Sequence, residues 1–266
     1  MQGMLPPDEG PAAYPALLAG LRRGAPRVHL HAYRPQDVAD YADRSGIDER
    51  QAIRVLRAAG AGTMPGTGVK VLNDRVRRRV APGDLPVTRW LEVIAAAHAE
   101  GMRTSSVLFY GHAETAADRI DHLRTLRRLQ EAAHAAGTGG GFTEFVPIPL
   151  PGPGGGVPLV PGRSPRDEHR AMTAVSRLML SGSIPHIQVP WPRLGRDAAP
   201  ALLAAGADDL GGTLLDCRVR PDAAAEAGQE LPVQDAAALA ARLFRPLRQR
   251  TTDYGEPDPD RLAVLR

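Results

Sequence analysis

Residues 103–146 read RTSSVLFYGHAETAADRIDHLRTLRRLQEAAHAAGTGGGFTEFV, and the order of patterns in this stretch decides the fold class. A β-rich run at 103–109 is followed by a long amphipathic helix pattern at 115–136 and then by an alternating strand pattern at 141–146. Two short strands joined by a helix are typical of a βαβ unit, because parallel strands need a long crossover connection. The stretch therefore predicts a parallel sheet.

The same alternation extends along the chain in both directions. Further strands are predicted at 27–32, 62–64, 184–189 and 209–215, and further helices at 14–21, 48–59, 69–80, 89–100, 165–180, 197–205 and 235–247. From this alternation we predict an α/β fold, an incomplete TIM-type (β/α) barrel with about six of the eight βα units. A doubly wound open sheet is the alternative, although no Gly-x-Gly-x-x-Gly pattern opens it.

No repeat or linker divides the pattern into separate domains. We predict one partial barrel over residues 1–255, including the C-terminal helix, and a flexible tail at 256–266. The Pro/Gly-rich loop at 147–162 is longer than a simple connector and is predicted to be a functional lid or a tolerated insertion.

The composition excludes several classes of protein. Hydrophobic residues make up 43% and charged residues 24% of the 266 positions, which is typical of a globular chain. No apolar run is long enough to span a membrane, and the first residues lack the pattern of a signal peptide. A single cysteine, Cys217, excludes an internal disulfide. We therefore expect a cytoplasmic protein.

The basic character of the chain comes from arginine, because Lys70 is the only lysine among 33 basic residues. The densest basic run, at 75–79, is the one candidate for phosphate contact. Aromatic residues make up only 4% of the chain, so stacking platforms for bases are scarce, and no nucleic-acid-binding motif occurs. We predict a solvated helix face at 75–79, and neither nucleic acid nor a membrane as a partner.

Polar side chains occur where the predicted strands end, which is where (β/α) barrels carry their active sites. Glu144 lies between Phe142 and Val146 on one strand face, and an inward carboxylate there needs a partner or a substrate. The histidine pair at 29 and 31 is also consistent with a purely structural role. The candidate catalytic residues are His29, His31, Tyr110, His112, Glu144, Gln188 and Asp209.

A metal-dependent hydrolase is one alternative that the residues alone leave open. Such enzymes activate water with a His-x-His pair at a barrel strand end together with later His and Asp residues. The candidate ligands would be His29, His31, His112, His186 and Asp209.

Eight short motifs occur in the order found in one known family. They are Gln2-Gly3; His29-Leu30-His31-Ala32-Tyr33-Arg34-Pro35; Pro65-Gly66-Thr67; Tyr110-Gly111-His112-Ala113-Glu114-Thr115; Gly141-Phe142-Thr143-Glu144-Phe145-Val146-Pro147; Ile187-Gln188-Val189; Asp209-Leu210-Gly211-Gly212-Thr213-Leu214; and Arg250-Thr251-Thr252 before Tyr254-Gly255. Together they resemble the C-terminal three quarters of the FO synthase subunit 2 family, radical S-adenosylmethionine enzymes of deazaflavin biosynthesis. The futalosine-cyclising enzymes of menaquinone synthesis share the outline, but the motif at 142–146 favours the deazaflavin branch.

The resemblance implies a transferase that joins a tyrosine-derived 4-hydroxybenzyl group to 5-amino-6-ribitylaminouracil by radical chemistry. It implies S-adenosylmethionine and a 4Fe-4S cluster as cofactors, with Gln2 and Gly3 at the methionyl end of S-adenosylmethionine. The strand-end residues would line the substrate pocket, where a barrel shields the radical from water. FO synthase subunit 1 would be a possible partner.

The sequence departs from the family pattern near its first residue. The family's Cys-x-x-x-Cys-x-x-Cys motif lies before the Gln-Gly segment, where this sequence has only Met1, and Cys217 cannot replace three thiolates. Where the family has a Glu after Pro-Gly-Thr, this sequence has Lys70. We therefore expect an N-terminally truncated chain that is inactive without a cluster-binding part. Either the start is assigned too late, or the chain is a decayed or repurposed paralogue that acts as a non-catalytic binding protein.

Overall fold

The computed structural model describes residues 3–66, 70–150, 164–212, 231–260 and 262. Gln2, Cys217, most of the predicted loop at 147–162 and the end of the predicted strand at 209–215 lie outside the described residues. The helices are α1 (Ala13–Gly24), α2 (Pro35–Ser45), α3 (Glu49–Ala59), α4 (Asp74–Val80), α5 (Val87–Ala99), α6 (Ala116–Ala136), α7 (Pro165–Leu180), α8 (Trp191–Leu194), α9 (Ala199–Ala204) and α10 (Val233–Arg242), with a 3₁₀ turn at Arg196–Ala198. The strands are β1 (Thr63–Met64), β2 (Arg103–Tyr110), β3 (Gly141–Pro149) and β4 (His186–Ile187).

The four strands form one sheet in the order β1-β2-β3-β4, which is also their order along the chain. Thr63 pairs in parallel with Arg103 between β1 and β2, and Glu144 pairs in parallel with His186 between β3 and β4. Isolated parallel bridges join His31 to Thr63 and Gln188 to Asp209. The parallel sheet confirms the α/β class, whereas the number of barrel units stays a prediction.

The predicted strand at 27–32 is reduced to the single bridge at His31. Pro26 has no amide hydrogen, and the Val28 N–H donates to the Ala25 carbonyl at 3.0 Å, so the chain turns where the strand was expected to begin. Strand β4 is likewise shorter than the predicted run at 184–189.

The described residues form two compact units, the first of which contains residues 3–107 and 124–143. In this unit α1, α2 and α5 all contact α3. Tyr14, Leu18 and Ile53 are fully buried among these helices. Burial of one apolar face on each helix therefore builds this core.

Helix α2 was not among the predicted helices, although its ends carry clear signals. Pro35 occupies the first helical turn, and Asp37 accepts a hydrogen bond from the Arg34 N–H at 2.8 Å. Gly46 ends the helix at a φ of +64°.

The second unit contains residues 108–123 and 144–262. Ile187, Val189, Trp191 and Leu202 form its buried core, against which α10 packs. Helix α10 ends at Arg242, short of the predicted end at 247, because Phe244 adopts a left-handed φ of +54°. Among all described helices, none combines the length and the apolar character that crossing a bilayer requires.

Candidate functional site

The candidate residues belong to both units. The first unit contains His29, His31 and Gly3, and the second contains Tyr110, His112, Glu144, Gln188 and Asp209.

In the first unit, His29 and His31 share the hydroxyl group of Thr63. His29 Nε2 lies 2.8 Å from Thr63 Oγ1, and His31 Nδ1 lies 2.7 Å from the same oxygen. A hydroxyl has one hydrogen to give, so it donates to one ring and accepts an N–H from the other. The pair is therefore linked through Thr63, with these two ring nitrogens turned towards the protein.

Close packing limits the space around the His29 ring, and burial sets the protonation of the His31 ring. A Cβ added at Gly62 would lie 2.6 Å from Cε1 of His29, so glycine is the residue that leaves room for the ring. Burial lowers the pKa of His31 to about 4, so the His31 ring is neutral at pH 7.

Gly3 contacts a buried carboxylate. The Gly3 N–H donates to Asp37 Oδ2 at 3.1 Å, and Asp37 also accepts from the Arg34 main chain and guanidinium. This backbone donor of the Gln-Gly segment is thus already paired within the first unit.

The residues present do not fit the iron–sulfur cluster that the resemblance implies. A 4Fe-4S cluster is held by cysteine thiolates, and the 266-residue sequence has one cysteine, Cys217. These residues therefore do not supply the cluster site.

In the second unit, the turn after β2 is organised by Glu114. Its carboxylate accepts hydrogen bonds from the N–H groups of Gly111 at 2.6 Å and His112 at 2.9 Å. His112 Nε2 donates to the Phe109 carbonyl at 2.9 Å, and its Nδ1 lies 2.7 Å from the Ala113 nitrogen. Both ring nitrogens of His112 are therefore engaged within the turn.

Tyr110 lies in the interior of the second unit, where 2% of it is exposed. Its hydroxyl lies 2.7 Å from His169 Nδ1, and the Arg119 guanidinium lies 4.8 Å from the centre of its ring. Burial raises the pKa of Tyr110 and lowers the pKa of His169, so both groups are neutral at pH 7. The catalytic role of Tyr110 stays a prediction.

Asp209 is the most densely bonded candidate. Its Oδ1 accepts from Gly211 N at 2.8 Å and Arg250 Nε at 3.3 Å. Its Oδ2 accepts from Arg250 Nη2 at 2.6 Å, from Gln188 Nε2 at 3.1 Å and from the Tyr254 hydroxyl. Burial would raise the pKa of Asp209, but these hydrogen bonds and the charge of Arg250 lower it overall, so the carboxylate is ionised.

Arg250 and Tyr254 were not among the predicted site residues. Tyr254 has a φ of +64°, its ring stacks on His186 at 4.1 Å, and the Arg250 guanidinium lies 3.9 Å from the ring centre. Burial, and then the charges of Asp209 and Glu144, raise the pKa of Tyr254, which keeps the phenol protonated. Both residues lie in the motif Arg250-Thr251-Thr252 before Tyr254-Gly255, which is the sequence feature that indicates them.

Glu144, His186 and Gln188 share one face of the sheet. Glu144 lies opposite His186 in the β3–β4 register, and Gln188 follows two residues later, so strand alternation points all three to the same side. Their neighbours Phe145 and Ile187 are fully buried on the other side. The charge of Glu144 acts on both Arg250 and Tyr254. We name Glu144, His186, Gln188 and Tyr254 the polar face.

The geometry gives no support to the metal-dependent hydrolase. In the described ranges, no group of three or more His, Cys, Asp or Glu side chains could hold a metal ion. His186 Nδ1 instead lies 3.0 Å from Asp208, and Asp209 is paired with Arg250.

Comparison with known proteins places this arrangement in a family. The chain is 36% identical over 259 residues to the 5-amino-6-(D-ribitylamino)uracil–L-tyrosine 4-hydroxyphenyl transferase 1 of Methanosarcina barkeri, covering 96% of this chain and 67% of that protein. The chain belongs to this transferase family. Residues 140–259 also match the family model described as the CofH/MqnC C-terminal region, which spans the whole polar face.

Longer proteins match the same residues. The chain is 38% identical over 258 residues to the FO synthase of Mycobacterium tuberculosis and 38% identical over 265 residues to that of Streptomyces avermitilis. These matches cover 96% and 98% of this chain. The chain spans 29% and 30% of the two FO synthases. This chain is thus similar to one part of each of these larger proteins.

Proposed function

We propose that this chain binds the substrates of a hydroxyphenyl transferase, which joins a tyrosine-derived 4-hydroxybenzyl group to 5-amino-6-ribitylaminouracil. The observation that carries the proposal is the polar face, because it lies wholly within the region that matches the family model. Asp209, itself held by Arg250 and Gly211, fixes the orientations of Gln188 and Tyr254. Fixed polar groups of this kind orient a substrate without reorganisation.

The chemistry of the face suits both substrates. Tyrosine carries an ammonium group and a phenol, and the aminouracil carries several N–H donors and a polyhydroxyl chain. Glu144 and Gln188 offer acceptors to such groups, and the stacked rings of His186 and Tyr254 offer an aromatic surface. The substrates therefore meet hydrogen-bonding groups beside an aromatic surface.

S-adenosylmethionine, when bound with its cluster, supplies a carbon-centred radical in this family. The 266 residues do not provide the thiolates of that cluster. What this chain contributes is binding and orientation. We also propose that this chain pairs with FO synthase subunit 1, as its resemblance to the subunit 2 family implies.

The test is direct ligand binding by isothermal titration calorimetry. We expect 5-amino-6-ribitylaminouracil or L-tyrosine to bind the purified chain and to raise its melting temperature by mass action. Glu144→Ala should weaken binding by about 1–3 kcal/mol, because a polar partner is lost from the site. Glu131→Ala is the matched control, since Glu131 is an exposed carboxylate that pairs with Arg127. If neither ligand binds the folded chain at millimolar concentration, the proposal is wrong.

A further inference from the structure

The structure fixes the hydrogen-bonding direction of Gln188, which belongs to the polar face. Its Nε2 donates to Asp209 Oδ2 at 3.1 Å. An ionised carboxylate can only accept, so the amide must turn its nitrogen towards Asp209 and its oxygen away. In the reverse orientation, Gln188 Oε1 would face a carboxylate oxygen and repel it.

The carboxylate of Asp209 is held as an acceptor by donors on the same two oxygens. Arg250 contributes two N–H groups, Gly211 contributes its backbone N–H, and Tyr254 contributes its hydroxyl. Because these four donors stabilise the negative charge, the Asp209 carboxylate stays ionised at pH 7.

Gly211 restricts Gln188 from a second side. A Cβ at residue 211 would lie 2.9 Å from Gln188 Nε2, and Gly211 has a φ of +67°, which favours glycine. The amide therefore lies against backbone as well as against Asp209, and its rotation is limited.

Two neighbours add acceptors to the same side of the sheet. His186 Nδ1 lies 3.0 Å from Asp208 Oδ2, so in the neutral ring Nδ1 carries the hydrogen and Nε2 is an acceptor. Glu144, opposite His186 in the register, adds negative charge. Gln188 Oε1 and the charge of Glu144 make this face rich in acceptors, and Nε2 of the neutral His186 ring is a further acceptor.

We propose that the polar face recognises N–H donors of its ligand, and that Asp209 is a positioning residue that sets the amide orientation of Gln188. This deepens the proposed function and rests on it, because it names the substrate group that this face would bind. Two sources carry such donors, namely the ring amino groups of the aminouracil and the ammonium group of tyrosine.

The test uses two pairs of probes that differ only in their donors. One pair is 5,6-diaminouracil and 5,6-dimethyluracil, in which methyl groups replace amino groups of similar size. The other is L-tyrosine and 3-(4-hydroxyphenyl)propanoate, which lacks the ammonium group. The dissociation constant of each probe is measured by calorimetry for the wild-type chain, Gln188→Met and Asp209→Asn. The control is Gln36→Met, because Gln36 is an amide of the first unit that bonds to Gly83.

We expect the wild-type chain to prefer the donor-bearing member of at least one pair by about tenfold, the worth of roughly one hydrogen bond. A preference within the uracil pair assigns the donors to the aminouracil, and one within the tyrosine pair assigns them to tyrosine. In Gln188→Met and Asp209→Asn the preference should fall to about twofold or less, while Gln36→Met keeps it. A merely structural role of Asp209 would weaken both members of a pair alike and leave the ratio unchanged.

The two proposals fail in different ways. Suppose that 5-amino-6-ribitylaminouracil and tyrosine bind, but the preference for donors persists in both variants or is absent from the wild type. Donor recognition by the polar face is then overturned, and the proposed function stands. If the chain prefers 5,6-diaminouracil to 5,6-dimethyluracil but binds neither substrate, the proposed function fails and donor recognition by the polar face stands. If neither the probes nor 5-amino-6-ribitylaminouracil bind the folded chain, both proposals are wrong.

Discussion

Arg119 and Glu168 form a buried ion pair, with Arg119 Nη1 2.6 Å from Glu168 Oε1 and 6% of each side chain exposed. Arg119 lies near the start of α6, and Glu168 lies in the first turn of α7. The same guanidinium lies 2.7 Å from Glu114, whose carboxylate organises the turn after β2. One cation thus compensates two buried carboxylates.

Replacing Arg119 by Leu should lower the free energy of unfolding by about 3–5 kcal/mol, because two buried carboxylates would lose their counter-charge. Urea unfolding at pH 7.5 measures the change. Arg127→Leu is the matched control on the same helix, since the Arg127–Glu131 pair is half exposed and should contribute at most about 1 kcal/mol. Equal effects of the two substitutions would contradict this account.

The sequence predicted best those elements whose signals are local. Strand β2, helix α6 and strand β3 lie where the pattern of residues 103–146 predicts them. Helix α6 buries one face, whereas consecutive residues of both strands are buried, as in a parallel sheet covered on both sides. The strand predicted at 27–32 is reduced to the bridge at His31, because the chain turns at residues 25–28 before it pairs with Thr63.

The site was predictable residue by residue but not as a network. Gln188 and Asp209 were recognised at strand ends, and they do bond to each other. Arg250 and Tyr254, which bond to Asp209 from 41 and 45 residues away, were missed as site residues. Hydrophobic periodicity cannot predict contacts over such a separation, because these contacts form only when distant parts of the chain fold together.

Gly66 should not tolerate a side chain. A Cβ at this position would lie 1.9 Å from the Ser105 carbonyl oxygen, and the Gly66 N–H donates to Ser105 Oγ at 2.9 Å. Because the obstacle is backbone, we expect Gly66→Ala to destabilise the chain by about 3 kcal/mol or to prevent folding. Gly83→Ala is the control, because nothing lies within 4 Å of its added Cβ. Comparable melting temperatures for the two variants would refute the prediction.

Anaerobic reconstitution with iron and sulfide should leave this chain without a stoichiometric cluster. Cys217 is the single thiol, and a 4Fe-4S cluster needs three or four. Iron content per chain and the visible absorbance of the cluster are the measurements. Cys217→Ser serves as the control for adventitious iron, and we expect its iron content to equal that of the wild type. About four irons per wild-type chain, lost in Cys217→Ser, would show that the expectation is wrong.

The buried histidine His98 should make the first unit less stable in weak acid. Its ring is 3% exposed, its Nε2 lies 2.9 Å from Thr104 Oγ1, and burial lowers its pKa from 6.5 to about 4. Between these two values the unfolded chain binds a proton that the folded chain does not. The free energy of unfolding is therefore fully retained above about pH 6.5 and falls as the pH drops towards 4, by up to about 1.4 kcal/mol per pH unit.

Urea unfolding at pH 7.5 and pH 5.5 isolates this contribution when wild type is compared with His98→Gln. Glutamine keeps a polar partner for Thr104 but does not titrate, so wild type should lose about 1 kcal/mol more than His98→Gln between the two pH values. His31 shares the same direction, since burial lowers its pKa to about 4, and its contribution stays in both proteins. If His98→Gln loses as much stability as wild type, the proton uptake of unfolding does not occur at His98.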